Sequence, residues 1–145
     1  MKIEVEIARQ ADQELVEVFI RLLPQLSTSA RSLDAEAVGR IVACDANTVL
    51  IARADGEIVG TLTLVMVPVP SGLRARVEDV VVDAAARGHG VAGLLMHKAL
   101  QIAREAGART VDLTSRPDRE AANRLYERLG FRVRESTVYR LAFDS

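Results

Sequence analysis

Apolar residues change their period along this chain, and the changes mark its elements. Ile3, Val5 and Ile7 alternate with charged residues, which predicts a half-buried strand. Leu15, Val18, Phe19 and Leu22 then recur at helical spacing behind Asp12, so Asp12 is expected to cap a helix that stops before Pro24. The Ser- and Thr-rich stretch 25–31 reads as a loop, and Ser32, followed by Asp34 and Glu36, opens a second helix carrying Val38, Ile41 and Val42. Residues 48–54 and 57–67 are apolar strands joined by Asp55-Gly56, a two-residue hairpin signal. Pro68-Val69-Pro70-Ser71-Gly72 is expected to break the sheet before it resumes over residues 74–83.

Beyond Asp83 the period becomes helical again. Val91, Leu95, Ala99, Ile102 and Ala106 form one face of a helix ending at Gly107, and residues 110–114 follow as a short strand. That strand-helix-strand crossover should be parallel and right-handed. Asp118 is expected to cap a further helix with Ala122, Leu125 and Leu129 inward and Gly130 as its left-handed terminator. Phe131, Val133, Tyr139 and Leu141 then alternate in a strand that closes the sheet. The order β-α-α-β-β-β-α-β-α-β predicts an α/β (α+β) protein, a sheet flanked by helices in one domain spanning residues 1–145.

Composition narrows the choice of function. With 145 residues, 49% of them apolar, the chain can bury a proper core. A net charge of −1 with mixed signs offers no basic field for nucleic acid, and 3% aromatic content without Trp offers no stacking platform for bases. No apolar run approaches the ~20 residues of a membrane span, and the first seven residues alternate too strictly for a secretion signal. A cytoplasmic protein with no membrane or nucleic-acid partner is therefore expected. The single Cys44 cannot form an internal disulfide, and His89 and His97 do not make a ligand cluster, so no metal is expected. Cys44 follows an apolar-periodic segment and is expected to be a buried small hydrophobe.

The chemistry concentrates in Arg87-Gly88-His89-Gly90-Val91-Ala92-Gly93, where a strand-like run gives way to a helix. Glycines remove the Cβ atoms that would block a phosphate from the backbone, and the first amides of a helix are unsatisfied donors at the positive end of a dipole. The stretch reads as an anion cradle. Gly88-x-Gly90-x-x-Gly93 also satisfies the dinucleotide fingerprint, with Asp112 near the spacing of its acidic ribose ligand. In a dinucleotide unit, however, the strand enters the glycines almost directly, whereas residues 83–86 intervene here. A bare Gly-rich turn is the third reading.

Arg87-x-x-Gly90-x-Ala92 resembles the [QR]-x-x-G-x-[GA] pyrophosphate loop of the GNAT superfamily of acyl-CoA-dependent N-acyltransferases. Asn123-Arg124-Leu125-Tyr126-Glu127-Arg128-Leu129-Gly130-Phe131 resembles its second signature, a Tyr-bearing helix ending in Gly-Phe. The resemblance is strong from Glu78 to Phe131 and only general before it. It implies a mixed sheet whose middle strands splay apart, acetyl-CoA as co-substrate, and transfer of acetyl to a primary amine by direct attack. A small-molecule acceptor is expected; a protein N-terminus or lysine is the alternative acceptor, and a non-catalytic acyl-CoA sensor the alternative to an enzyme.

The same resemblance implies roles for residues. The pyrophosphate would sit on the amides of Gly88, His89, Gly90, Val91, Ala92 and Gly93, with Arg87 adding charge, and pantetheine would pair with the main chain of Val80, Val81 and Val82. Tyr126 would stand near the thioester sulfur as general acid, with Asn123 one turn earlier near pantetheine. The chain departs from the family in carrying Arg119 where an Asn often begins the segment. Among Arg116, Arg119, Arg124, Arg128, Arg132 and Arg134, mostly a solvated face, one or two could neutralise the adenosine 3′-phosphate.

Glu78 is the expected general base, because a carboxylate in an apolar strand must be paired, wet or functional. Its strand, residues 77–83, also resembles that of glucosamine-6-phosphate N-acetyltransferases, where an acidic pair borders the amine. Neighbouring strand residues face opposite ways, so Asp79 is the alternative rather than a second base. Val138, Tyr139, Leu141 and Phe143 would leave an apolar free edge on the last strand, which predicts a homodimer.

Overall fold

The computed structural model describes residues 1–27 and 33–144. In chain order the elements are β1 (Ile3–Ile7), α1 (Gln13–Leu26), α2 (Ala35–Ala43), β2 (Asn47–Ala54), β3 (Glu57–Val69), β4 (Gly72–Val82), a 3-10 turn (Ala84–Ala86), α3 (Val91–Glu105), β5 (Thr110–Asp112) and α4 (Glu120–Arg128). They pack as two compact units, Met1–Leu113 and Thr114–Ser145.

The first unit is built on a mixed sheet in the order β1-β2-β3-β4-β5, antiparallel except for the parallel β4–β5 pair across the α3 crossover. Strand alternation sends the two residue sets to opposite layers. Val49, Ile51, Ile58 and Val81 pack with Leu15, Val18, Phe19, Leu22 and Val38 of α1 and α2. On the other face lies α3, whose Leu95, Met96, Ala99 and Ala103 are buried. The hairpin between β2 and β3 turns at Asp55-Gly56 with φ of 51° and 87°, the doubly positive turn that its residues favour.

Gly60 sets how closely α3 approaches that face. A Cβ there would stand 3.0 Å from Val91 Cγ1, 3.2 Å from Leu95 Cδ1 and 3.3 Å from the Val81 carbonyl oxygen. The absent methyl lets the first turn of α3 lie directly on β3.

In the second unit α4 buries Tyr126, whose ring meets Phe131 edge-on at a centroid distance of 6.0 Å. Gly130 ends the helix at φ 102°, as expected, and Phe131 N–H closes back on Tyr126 O at 3.0 Å.

Several local expectations are corrected. α1 runs through Pro24 to Leu26 rather than stopping before it; Ser27 N–H still bonds Leu23 O at 3.0 Å, so a proline near a helix end costs one bond without terminating the helix. Residues 25–31 were expected as loop, but Gln25 and Leu26 are helical, and residues 28–31, with Ser32, lie outside the described residues. The second helix is capped by Asp34, whose side chain accepts from Ala37 N–H at 2.8 Å. Pro68 and Val69 do not break the sheet: both stay in the β3–β4 ladder, opposite Leu73 and Gly72. Asp118 does not cap α4, which begins behind Arg119 without a side-chain cap. Cys44 is exposed, because it sits just past the apolar stripe as the C-cap of α2. Finally, residues 131–141 form no strand, and Val133, Val138, Tyr139, Leu141 and Phe143 are exposed. A strand needs a ladder partner, and the described residues of the second unit contain no other strand.

Gly60→Ala is expected to destabilise the protein. The neighbours cannot easily yield, since Val91 and Leu95 are buried and the Val81 carbonyl belongs to a strand paired with β3. Overpacking of about 1–3 kcal/mol outweighs the roughly 0.5–1 kcal/mol that a strand gains when Gly becomes Ala. Denaturant titration should show the lower midpoint; an unchanged or higher one would contradict this packing.

Candidate active site

The site is organised by an irregularity in β4. Thr63 pairs with Glu78 and Thr61 with Val81, so Asp79 and Val80 together oppose the single residue Leu62. This is a β-bulge, and its first residue, Asp79, takes φ of 50°. Only Asp, Asn and Gly adopt such a conformation readily.

β4 loses its second neighbour before the bulge. β5 pairs only with Arg74, Ala75 and Arg76 and ends at Asp112. From Val77 to Val82 the outer edge of β4 therefore has no strand partner among the described residues. Backbone groups of Val80, Val81 and Val82 on that side are open to an extended ligand. The Val81 side chain itself is core, as expected of an apolar run in a covered strand.

A short 3-10 turn connects the open edge to the glycine loop. Asp83 N–H bonds Val59 O at 2.7 Å, and the Asp83 carboxylate accepts from Ala85 N–H at 3.2 Å to start the 3-10 turn. Arg21 of α1 pairs with the same carboxylate, and Gln25 Oε1 accepts from Ala84 N–H at 2.9 Å. These contacts, the Ala85 bond foremost, hold the Asp83 carboxyl below the usual carboxylate range. The loop entry is thus tied to α1.

Gly88 and Gly90 follow with φ of 84° and 77°, and a Cβ on either would meet nothing within 4 Å. The space above both is free for a ligand. Gly90 is the N-cap of α3 and offers no side chain to its amides. The first intrahelical bond is Leu94 N–H to Gly90 O at 3.1 Å, so the amides of Val91, Ala92 and Gly93 are the helix's unsatisfied donors. Val91 is buried at the foot of the helix, and its part in a cradle is its amide alone. A pyrophosphate fits these groups: open glycines, free amides and the exposed Arg87. His89 does something its sequence position did not reveal. Its Nδ1 lies 3.2 Å from Ala86 O and 3.1 Å from Arg87 O and, when it carries the proton, donates to these loop carbonyls and braces the turn from within.

Glu78 lies opposite Thr63 on the sheet face covered by α1 and α2, since Thr63 shares that face with Val49 and Ile51. Its half-exposed carboxylate pairs with Arg76 at 3.1 Å. Asp79 opens to solvent on one side; the protein packed around its other side, and then the Glu78 charge, raise its carboxyl pKa. The strict alternation that separates Glu78 from Asp79 by face does not run through a bulge. Thr61, opposite Val81, has a buried hydroxyl with no hydrogen-bond partner among the described residues.

Tyr126 and Asn123 belong to the second unit. Burial raises the Tyr126 pKa, with Arg119 opposing, so the hydroxyl keeps its proton at neutral pH. Asn123 Nδ2 donates to Arg116 O at 3.0 Å, which fastens the segment leading into α4. Arg116, Arg119, Arg124, Arg128, Arg132 and Arg134 are all exposed. Among the described residues no cluster of His, Cys, Asp or Glu could hold a metal, and no helix is long and apolar enough to cross a membrane.

Residues 14–131 match the model of the acetyltransferase (GNAT) family. A search of curated proteins found no match. Solved structures with the same fold include a transcriptional regulator from Bacillus halodurans C-125, 27% identical with a TM-score of 0.83 over 98% of this chain and 100% of that one. An acetyltransferase of Trypanosoma brucei is 26% identical with a TM-score of 0.79, again over 98% and 100%. An aminoglycoside acetyltransferase from an uncultured soil metagenomic sample shares the fold at 18% identity, with a TM-score of 0.82 over 99% and 97%. With the family model spanning most of its length, the open β4 edge and the glycine cradle acquire their context: this chain belongs to the GNAT family of acetyltransferases.

Proposed function

We propose that the chain is a single-domain, cytoplasmic N-acetyltransferase, working as a homodimer, that moves acetyl from acetyl-CoA to the primary amine of a small molecule by direct attack. One observation carries the reading. The unpaired β4 edge leads, through Asp83 and the 3-10 turn Ala84–Ala86, into a glycine loop whose free amides lie at the start of α3. An extended arm ending in a pyrophosphate matches that continuity, whereas a dinucleotide would use the cradle and leave the edge idle. The small-molecule acceptor draws support from the aminoglycoside acetyltransferase among the fold neighbours. A ribosomal-protein-alanine N-acetyltransferase from Brucella melitensis, 21% identical, supports a protein amine as the second reading.

Acetyl-CoA supplies an acetyl group already activated as a thioester. Val80, Val81 and Val82 bind its arm through their main chain, and Gly88 to Gly93 hold the pyrophosphate with Arg87. Asn123 orients the α4 entry, and one of the exposed arginines meets the adenosine 3′-phosphate. Glu78, on the face of α1 and α2, removes a proton from the acceptor nitrogen, and Tyr126 Oη delivers one to the departing sulfur. The raised pKa of Tyr126 suits a donor that must stay protonated until then. The one cysteine, Cys44, caps α2 and has no part in this route.

Glu78→Gln is expected to lower turnover most at neutral pH and to abolish the acidic limb of the pH-rate profile, with acetyl-CoA affinity little changed. Asp79→Asn keeps a residue that tolerates positive φ and should retain the limb. It should also gain stability at neutral pH: a carboxyl with a raised pKa favours folding when protonated, and that contribution is lost as pH rises through its folded value. The gain should vanish below the ordinary Asp range. A limb that survives in Glu78→Gln and disappears in Asp79→Asn would transfer the role of base to Asp79.

Tyr126→Phe retains the ring and its edge-on contact with Phe131. Melting temperature and CoA affinity should change little, while thiol release falls by roughly a hundred- to ten-thousand-fold. A fall in melting temperature with unchanged turnover per folded molecule would show that the hydroxyl has only a packing role.

A further inference from the structure

β4 carries a row of charges on the sheet face that bears Glu78. Before the bulge, Arg74, Arg76 and Glu78 oppose Val67, Val65 and Thr63 of β3, so all three lie in the layer of α1 and α2. Past the bulge that face is sealed, with Ile51, Ile58 and Val81 in the core. Around Glu78 it opens: Thr63 and Val65 are half-buried, and the side chains of Arg76 and Glu78 are 42% and 44% exposed. A small molecule can therefore reach both charges.

The ion pair between them engages only one edge of each group. Arg76 Nε–H donates to Glu78 Oε1 at 3.2 Å, and Nη2 lies 3.1 Å from the same oxygen. A guanidinium presents five N–H donors in a planar fork, and those on Nη1 have no acceptor among the described residues. Glu78 Oε2 likewise has no hydrogen-bond partner among the described residues. Asp112, the register partner of Arg76 on β5, makes no ion pair with it. Arg74 adds a second cation beyond Arg76, and its Nη2 donates to Ser71 Oγ at 3.0 Å rather than to a carboxylate.

A fixed cation in contact with a fixed carboxylate, each with a free edge, is the complement of a zwitterion. An amine and a carboxylate borne on one carbon satisfy both edges at once with charge-assisted bonds. We propose that the acceptor is a free α-amino acid, its carboxylate on Arg76 Nη1 and its amine on Glu78 Oε2. The proposal rests on the N-acetyltransferase reading above, with Glu78 as base, and names its substrate class. Of the three protons on the ammonium, one stays on the amide nitrogen, one leaves through Glu78 to water, and one goes to the CoA sulfur as the C–S bond breaks and the C–N bond forms. The product is an N-acetyl amino acid. The terminal amine of a protein has an amide where the amino acid has its carboxylate and would leave Nη1 unanswered, and a polycation would be repelled by Arg74 and Arg76.

The test is thiol release from acetyl-CoA with a panel of free L-amino acids, each beside its own primary amide, together with an aminoglycoside and a C-terminally amidated peptide. The best amino acid should exceed its amide in kcat/KM by roughly ten- to a hundred-fold, the range of one contact to a charged group. That order should hold even though the less basic amine of the amide is more often unprotonated at neutral pH. In Arg76→Leu the preference should vanish; any disturbance of Glu78 acts on acid and amide alike and cancels in their ratio. The side chain is half-exposed, so the variant should fold, as unchanged CoA affinity by calorimetry would verify. Amides, aminoglycoside or peptide turned over as well as the amino acids would overturn the proposal and leave the acetyltransferase reading standing. A preference that survives Arg76→Leu would overturn it too, because the carboxylate would then bind elsewhere. Thiol release with none of these amines would overturn the acetyltransferase reading and the proposal with it.

Discussion

Backbone amides and carbonyls that leave water must find partners, and this protein is shaped by where its sheet withholds them. β4 and β5 pair over three residues and then part. That early separation leaves the main chain of Val80 to Val82 with free bonding capacity on one side, at the point where the strand runs into the glycine loop. Had β5 continued alongside β4, the edge would be satisfied by protein and an extended ligand would have nowhere to lie. The family to which the chain belongs handles a long, arm-like substrate, and an interrupted ladder is the simplest device for receiving one.

The surrounding residues act to hold this opening in place. Gly60 brings α3 down onto β3, which fixes the height of the helix N-terminus against the strand edge. Asp83, gripped by Arg21, links α1 to the mouth of the cradle, and His89 braces the loop through two of its own carbonyls. The bulge at Asp79 shifts the β3–β4 register by one residue before the valines begin. Acidic side chains and the open backbone edge thus share one strand without competing for the same ladder positions.

Much of this was legible in the sequence, and the misses are physically specific. Periodicity located the four α-helices and five strands of the described residues, because each buries a single face and leaves a regular trace. The glycine turn into α3 was legible because glycines and a helix start are local features. The bulge was not: it depends on which residues of β3 oppose β4, a relation between strands that alternation within one strand cannot encode. The bracing by His89 and the tether from Arg21 were hidden for the same reason, being contacts across the loop and across 62 positions of sequence. The expected last strand failed differently. Its pattern is present in residues 131–141, but a pattern states only what a segment needs, and the described residues of its own unit contain no strand to pair with.

The central claim, that the open β4 edge and the glycine loop form one continuous receptor for the arm and pyrophosphate of coenzyme A, is tested most directly by amide hydrogen exchange with and without CoA. Saturating CoA should slow exchange at Val80 to Val82 and at Gly88 to Gly93 together, with amides of the β1–β2 pair unaffected. Binding demonstrated by calorimetry while both stretches exchange at their free rates would contradict the account.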